Sequence, residues 1–335
     1  MKDNRQVENA WAMFDWANSA YNLVISTAIF PPYFIAMTKS HIPVLGNEIS
    51  NSALYAFAVT FSYAVIAITS PLMSGIADYS GKRMFFLKLF TVAGSISCML
   101  LFFFDGMDTI FLGVSAFVLA TIGHAGSLVF YNAYLPEIVS ENRMDKVSAK
   151  GYAYGYVGSV ILLVFNLLVI TYPTFFGIPE GSLPVRIAFL TVGIWWLGFA
   201  QLTFKKLPVP KALGHSKRIL TKGYEELLKV WRELQHTPNT KRFLFSFFFY
   251  SAGVQTVIYL ASTFAEKELD FGTSELILII LILQLVAIGG AYLFAWLSDI
   301  TTNKTSLSTM ILIWIGICVG AHFVESKLAF YFLSA

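Results

Sequence analysis

Residues 71–83 read PLMSGIADYSGKR, and residues 295–304 read AWLSDITTNK. In each, an apolar run ends on an aspartate, Asp78 or Asp299, and a polar turn carrying Lys or Arg follows. What these two stretches interrupt decides the fold. A membrane-spanning helix needs about 20 mostly apolar residues. Nine runs reach that scale, at 11–37, 52–77, 84–104, 109–135, 149–172, 185–204, 243–264, 274–297 and 306–324, and a tenth begins at Leu328 and is cut off at Ala335. The paired aspartates close the second and the eighth.

Composition agrees. Of the 335 residues 56% are hydrophobic, 31 are Phe, and only 13% are charged. A soluble domain carries roughly 25% charged residues, so this chain cannot cover a water-facing surface. No segment alternates with the short period of an outer-membrane barrel strand. The expected class is an all-α integral membrane protein. The net charge of +3 matters less than its placement. With the N-terminus in the cytoplasm, alternate loops and span ends collect 19 Lys and Arg on one side and leave Lys39, Arg186, Lys267 and Lys327 on the other. That asymmetry fixes the expected orientation and supports the span count. Cys98 and Cys318 fall inside apolar runs and read as buried thiols. The polar first ten residues and the long run after them do not fit a cleavable signal peptide.

The longest polar stretch follows the sixth run. The expected layout is a six-span bundle over 1–204, a basic cytoplasmic linker over 205–242, and a partial second bundle over 243–335, with spans seven to nine and the start of ten. Within the linker, Leu220, Tyr224, Leu227, Leu228, Trp231 and Leu234 share one helical face, away from Lys222, Lys229 and Arg232. This predicts an amphipathic helix, lying on the cytoplasmic leaflet or capping the bundle as a short soluble helix.

The six-plus-six plan, repeated around Asp78 and Asp299, resembles the major facilitator superfamily, whose loop between spans two and three has the form Gly-x-x-x-Asp-x-x-Gly-x-Arg. Asp78, Gly81 and Arg83 match it, and Lys82 adds charge. Ser74 replaces the first Gly, with Gly75 one place later. The echo at Asp299 lacks the second Gly, since Thr302 stands there. Gly81 suits a tight turn, and Asp78 can pair with the basic residues or accept hydrogen bonds at a helix end. The plain alternative is a charged loop obeying the positive-inside rule. The stretches WAMFDWANSAYN (11–22), FYNAYLPEI (130–138), KVSAKGYAYGYVGS (146–159) and GVQT (253–256) are similar to one branch, the vacuolar amino-acid effluxer-like family, whose fungal members are linked to autophagy. Ala252 stands where that pattern often has an acid. Relatives of this kind have about twelve spans, so the chain is expected to be a fragment or a truncated reading.

Polar residues within the runs are not scattered. At 100° per residue, Asp15, Asn18, Ser19, Asn22 and Ser26 fall within a 100° arc. Thr121, His124, Ser127 and Tyr131 share an arc in span four, and Ser251, Gln255, Tyr259 and Ser262 share one in span seven. The resemblance implies that spans one, four and seven face a central cavity. A polar group in lipid is costly unless it meets water or a partner, so the stripes read as a wet vestibule or as helix-packing seams. The expected pathway residues are Asp15, Asn18, Asn22, Ser26, His124, Tyr131, Gln255 and Tyr259, with Asn22 and Gln255 touching the solute. Asp15 is either a structural anchor or a proton or substrate group, and His124 either takes up a proton or is satisfied by a neighbouring hydroxyl. The expected gate or latch is Asp78, Gly81, Lys82, Arg83, Asn132, Glu137 and Asp299, with Glu137 paired to the basic loop that follows it. Gly151, Gly155 and Gly158 predict close packing of span five.

No phosphate-binding loop, His-Glu-x-x-His or Cys-pair motif appears, so an ATP-driven pump and a metal enzyme are not expected, and neither is a cofactor. The basic linker does not argue for nucleic acid. The function expected is secondary transport of a small solute, by resemblance an amino acid or related metabolite, with export favoured and a proton or ion as candidate coupling partner. The expected place is a bacterial inner membrane, or the vacuolar membrane in a fungus. The alternative is a non-transporting polytopic membrane protein, such as a scaffold, a receptor or a lipid-modifying enzyme; a scaffold would not need three polar stripes. A lipid-modifying enzyme would need a nucleophile beside Glu137 or Asp78, and a channel would need a ring of like charges.

Overall fold

The computed structural model describes residues 2–44, 46–209, 219–269, 271 and 273–334. Within helix α10 the side chain of Tyr259 lies outside the described residues, as do those of Ser262 in the same helix and of Leu220 and Leu227 in the linker. Two compact units divide the chain, Met1–Leu227 and Leu228–Ala335.

Helix α1 (Arg5–Ala20) starts where the Asn4 side chain accepts from the Gln6 N–H. The chain then winds as a π-helix over Tyr21–Ile29 and returns to α-helix in α2 (Phe30–Met37). Pro31 and Pro32 lack an N–H, so the carbonyls of Thr27 and Ala28 have no helical donor above them. Just before them the ladder is in π register: Phe30 N–H bonds to Ile25 O, five residues back, and the Thr27 hydroxyl bonds to Asn22 O at 2.9 Å. The arc drawn at 100° per residue therefore does not run unbroken past Ala20.

A small hairpin, which hydropathy does not signal, joins spans one and two. Strand β1 (His41–Val44) pairs antiparallel with β2 (Asn47–Ser50), His41 opposite Ser50. The Ser50 hydroxyl then caps α3 (Asn51–Ser80) at Ala53 N–H. Helix α4 (Arg83–Leu100) follows, then α5 (Ile110–Asn132), the single turn α6 (Leu135–Ile138), α7 (Met144–Thr171) and α8 (Leu183–Lys206). In the first unit the core is aromatic. Phe30 stacks on Phe117 with centroids 4.4 Å apart, and Phe14, Phe104, Phe189 and Trp196 are fully buried. Helices α4 and α5 cross closely enough that a Cβ on Gly94 would clash with the Trp196 ring and lie 3.1 Å from Gly123 Cα.

The linker carries α9 (Ile219–Gln235), with Tyr224 and Trp231 exposed. Beyond it lie α10 (Pro238–Leu269), α11 (Thr273–Ile300), α12 (Asn303–Ala321) and α13 (Lys327–Ser334). The second unit packs around Ala265, Leu269, Phe271, Ile279 and Phe330. Lys327 pairs with Glu275 at 2.6 Å.

Among the described residues eight helical stretches are long and apolar enough to cross a membrane: six in the first unit, from Arg5–Met37 to Leu183–Lys206, then Leu278–Ile300 and Asn303–Ala321. The expected seventh run lies on α10. Large apolar side chains such as Ile68 and Phe111 are 78% and 85% exposed. Lipid accepts that surface without penalty; water does not. The chain is an all-α multi-pass membrane protein.

Candidate transport site

The loop between α3 and α4 forms a clasp. Helix α3 ends at Ser80, and Gly81 takes φ +65°, a left-handed turn that only glycine enters freely. The chain thus reverses within two residues and brings Arg83 back over the end of α3. Arg83 Nη2 donates to Asp78 Oδ1 at 2.6 Å, and Nη1 stands 2.6 Å from Glu137 Oε1 and donates to Ala133 O at 3.0 Å. Its guanidinium lies over the Tyr134 ring, 5.6 Å from the centroid. Asp78, Gly81, Arg83 and Glu137 are thereby brought together. Lys82 and Asn132 are exposed and take no part. Glu137 pairs with Arg83, not with the basic loop after it, because α6 turns Glu137 back toward the α3–α4 end.

Asp299 is exposed at the end of α11 in the second unit. There the position of the second glycine is Thr302, in an extended conformation, whose hydroxyl caps α12 at Thr305 N–H. An extended cap needs no left-handed residue, which accounts for the missing Gly in the echo.

Deeper in the first unit the stripes of spans one and four meet. Tyr131 Oη donates to Asp15 Oδ2 at 2.7 Å. The Tyr131 ring stacks on Trp11 at 4.4 Å and Phe14 at 4.8 Å, and Trp11 Nε1 donates to Tyr131 O. Asp15 is 8% exposed, and among the described residues no Lys, Arg or His pairs with it. Helix α7 makes room: a Cβ on Gly151 would lie 2.5 Å from Asp15 Oδ2 and 2.8 Å from the Trp11 ring. Tyr21 Oη and Thr121 Oγ1 lie 2.7 Å apart, and Ser127 donates to His124 O. Asn18 and His124 are buried, and their Nδ2 and Nδ1 atoms have no hydrogen-bond partner among the described residues.

Asn22 is set apart. It lies exposed in the π-wound segment, and Ser26 is half-buried with its carbonyl accepting from Tyr55 Oη at 3.1 Å. In the second unit Gln255 is exposed and lines a groove of about 250 Å³ between α10 and α12, with Tyr250, Ser251, Met310 and Trp314. None of the lining residues carries a charge.

Three residues absent from the predicted set complete the polar end of the first unit. Arg143 Nη1 stands 2.9 Å from Glu8 Oε1 and 3.3 Å from Asp3 Oδ1. Glu8 is 3% exposed. The available signal was spacing: Glu8 precedes Asp15 by seven residues and so lies on the same face of α1.

The chain matches the family model described as "Vacuole effluxer Atg22 like" over residues 3–323. It is 30% identical to the uncharacterized MFS-type transporter YxiO of Bacillus subtilis (strain 168), an alignment covering 100% of this chain and 77% of that protein. It is 26% identical to autophagy-related protein 22-1 of Phaeosphaeria nodorum over 76% of this chain and 54% of the relative. Autophagy-related protein 22-2 of Aspergillus niger is 23% identical over 81% of this chain and 57% of the relative. The chain thus spans little more than half the length of these fungal relatives. Asp15, Tyr131 and the Arg83 clasp all fall within the matched residues: the chain belongs to the Atg22-like vacuole effluxer family.

Proposed function

We propose that this chain moves a small solute as a secondary transporter, by alternating access, with an amino acid or related metabolite as cargo and export as its direction. The family and the MFS-type name of the Bacillus relative support transport over a scaffold, receptor or lipid enzyme. The observation that carries the mechanism is the Asp15–Tyr131 contact: a carboxyl buried within the spans, held by one phenol and, among the described residues, by no cation. Ionisable groups at such depth mark ion and proton routes. In this reading Asp15 carries the coupling proton, and Tyr131 holds its Oδ2 in place. Asn22 and, in the second unit, Gln255 are exposed amides suited to a neutral or zwitterionic solute. The Arg83 clasp stabilises one facing state.

In this reading the N-terminus and the 205–242 linker lie in the cytoplasm, which the basic ends favour, and 1–204 and 243–335 are the two bundles. A bacterial inner membrane suits the Bacillus relative, and the vacuolar membrane the fungal ones. The test is counterflow and pH-gradient-driven uptake in proteoliposomes, using a radiolabelled mixture of amino acids. Asp15→Asn, which keeps an oxygen for Tyr131, should retain counterflow and lose gradient-driven accumulation. Unchanged accumulation removes Asp15 from coupling; absence of counterflow with every amino acid, sugar and nucleoside tried removes the transport reading.

A further inference from the structure

The single turn α6 carries Glu137 to Arg83, yet four residues of helix cannot hold themselves. What fixes them lies in the segment before span one. Asp3 N–H donates to Ile138 O at 2.8 Å. Asp3 Oδ1 accepts from Ser140 N–H at 2.9 Å and from the Ser140 hydroxyl at 3.0 Å. Arg143 Nη1 then faces both Asp3 Oδ1, at 3.3 Å, and Glu8 Oε1, at 2.9 Å, while Nη2 donates to Glu8 Oε2 at 3.1 Å. Lys150 Nζ bonds Asn9 Oδ1. These contacts hold the chain just after Glu137: its next neighbour, Ile138, and Ser140 three residues on are both tied to Asp3.

The tie has a backbone cost. Asp3 has φ +65°, and among the described residues it is the one non-glycine residue with positive φ. An L-residue stays in that region only where its surroundings hold it there. Here the N–H, the carboxylate and the Arg143 contact do so together. Glu8, buried at the start of α1, is the deep anchor of the same arginine.

We propose that Asp3 and Glu8 are positioning residues for the Arg83–Glu137 contact, residues 3–9 forming a strap that fixes the turn bearing Glu137. The strap touches neither solute nor Asp15. It acts by making one position of Glu137 available to Arg83, and it rests on the reading of that clasp as a latch between facing states. Links Asp78–Arg83–Glu137 and Asp3–Arg143–Glu8 then form two joined halves of one polar belt over the ends of the first five spans.

The test is a double-mutant cycle on transport by the full chain in proteoliposomes, with the radiolabelled amino-acid mixture as probe. Asp3→Gly keeps the left-handed turn and removes the carboxylate. Asp3→Asn keeps the turn and an accepting oxygen. Asp3→Gly should slow transport about fivefold at unchanged KM, the scale of network coupling, while Asp3→Asn stays within about twofold of the parent. In an Arg83→Ala background, Asp3→Gly should add nothing. Multiplying effects in the double variant, or no effect of Asp3→Gly alone, overturns the strap. Normal transport by Arg83→Ala defeats the latch instead, so the two failures are distinguishable. Hydrogen–deuterium exchange of residues 135–140 gives a readout independent of transport: exchange should rise in Asp3→Gly and in Glu8→Gln. Unchanged protection in both variants also overturns the proposal.

Discussion

Tyr131 holds Asp15 across 116 residues of chain, phenol to carboxyl at 2.7 Å, with Trp11 and Phe14 stacked against the phenol ring. Both rings pack on the phenol, so the carboxyl is positioned by aromatic packing as well as by the hydrogen bond.

Tyr131→Phe keeps the stack and removes the donor. A buried acceptor left without its partner costs about 1–3 kcal/mol. Folded protein should survive with a lower melting temperature, and gradient-driven uptake should fall by about fivefold or more, since each 1.4 kcal/mol is a factor of ten. Uptake equal to the parent would show that Asp15 needs no fixed partner.

Gly151→Ala places a methyl 2.5 Å from Asp15 Oδ2 and 2.8 Å from Trp11. Overpacking of this kind costs about 1–3 kcal/mol. Gly198→Ala, on α8 with nothing within 4 Å of the new carbon, is the control. Thermal melts in detergent should separate the two; equal melting temperatures would mean that α7 can back away from α1.

Arg83→Lys should fail to restore what Arg83→Ala loses. The guanidinium meets two carboxylates and a carbonyl at once, a fork that an ammonium cannot reproduce. Asp78 and Glu137 are each more than 40% exposed, so the stability loss should stay near about 1 kcal/mol. The larger effect is expected on transport rate at unchanged KM. Full activity of the Lys variant would reduce the site to a simple charge.

Asn22→Ala and Gln255→Ala should each raise the KM for solute and leave the melting temperature unchanged, because both amides are exposed and support no core. Asn18→Ala, at a fully buried position, should do the reverse. Kinetics that do not distinguish Asn22 from Asn18 would remove the solute role from Asn22.

The Ser140 amide, with further help from the Ser140 hydroxyl and Arg143, holds the Asp3 carboxyl below its ordinary value of 3.8. A depressed acid stabilises fully above its unfolded value and loses that contribution as pH falls through the folded one. The strap should therefore be intact at neutral pH and weaken only below about 3.8. Melting temperatures of the parent and Asp3→Gly, compared from pH 6 down to pH 3, should converge at the acid end; a constant gap would mean that the carboxylate charge is not what ties the strap.

Much of this molecule was legible in residue order. Spans follow from apolar length, because lipid demands that the backbone satisfy itself within each helix. The clasp loop follows from Asp78, Gly81 and Arg83 lying within six residues, where a left-handed glycine makes their meeting a local event. The polar faces of spans one and four follow from helical spacing. Other features were not legible. Glu137 finds Arg83, Glu8 finds Arg143, and Asp15 finds Tyr131 across 54 to 135 residues, and nothing in one-dimensional spacing says which charge meets which. Also not legible were the exposure of Asn22, which helical arithmetic puts on one face with Asp15, and the change from α to π winding at Tyr21.

What the sequence determined by itself is therefore the class, the spans and the local turn at Gly81, all set by free energies that each segment settles alone. What only the tertiary structure decided is the pairing of buried groups. A charge or phenol inside a bundle takes whichever partner helix packing brings within about 3 Å, and that packing is fixed by glycine contacts and stacked rings contributed by several helices at once.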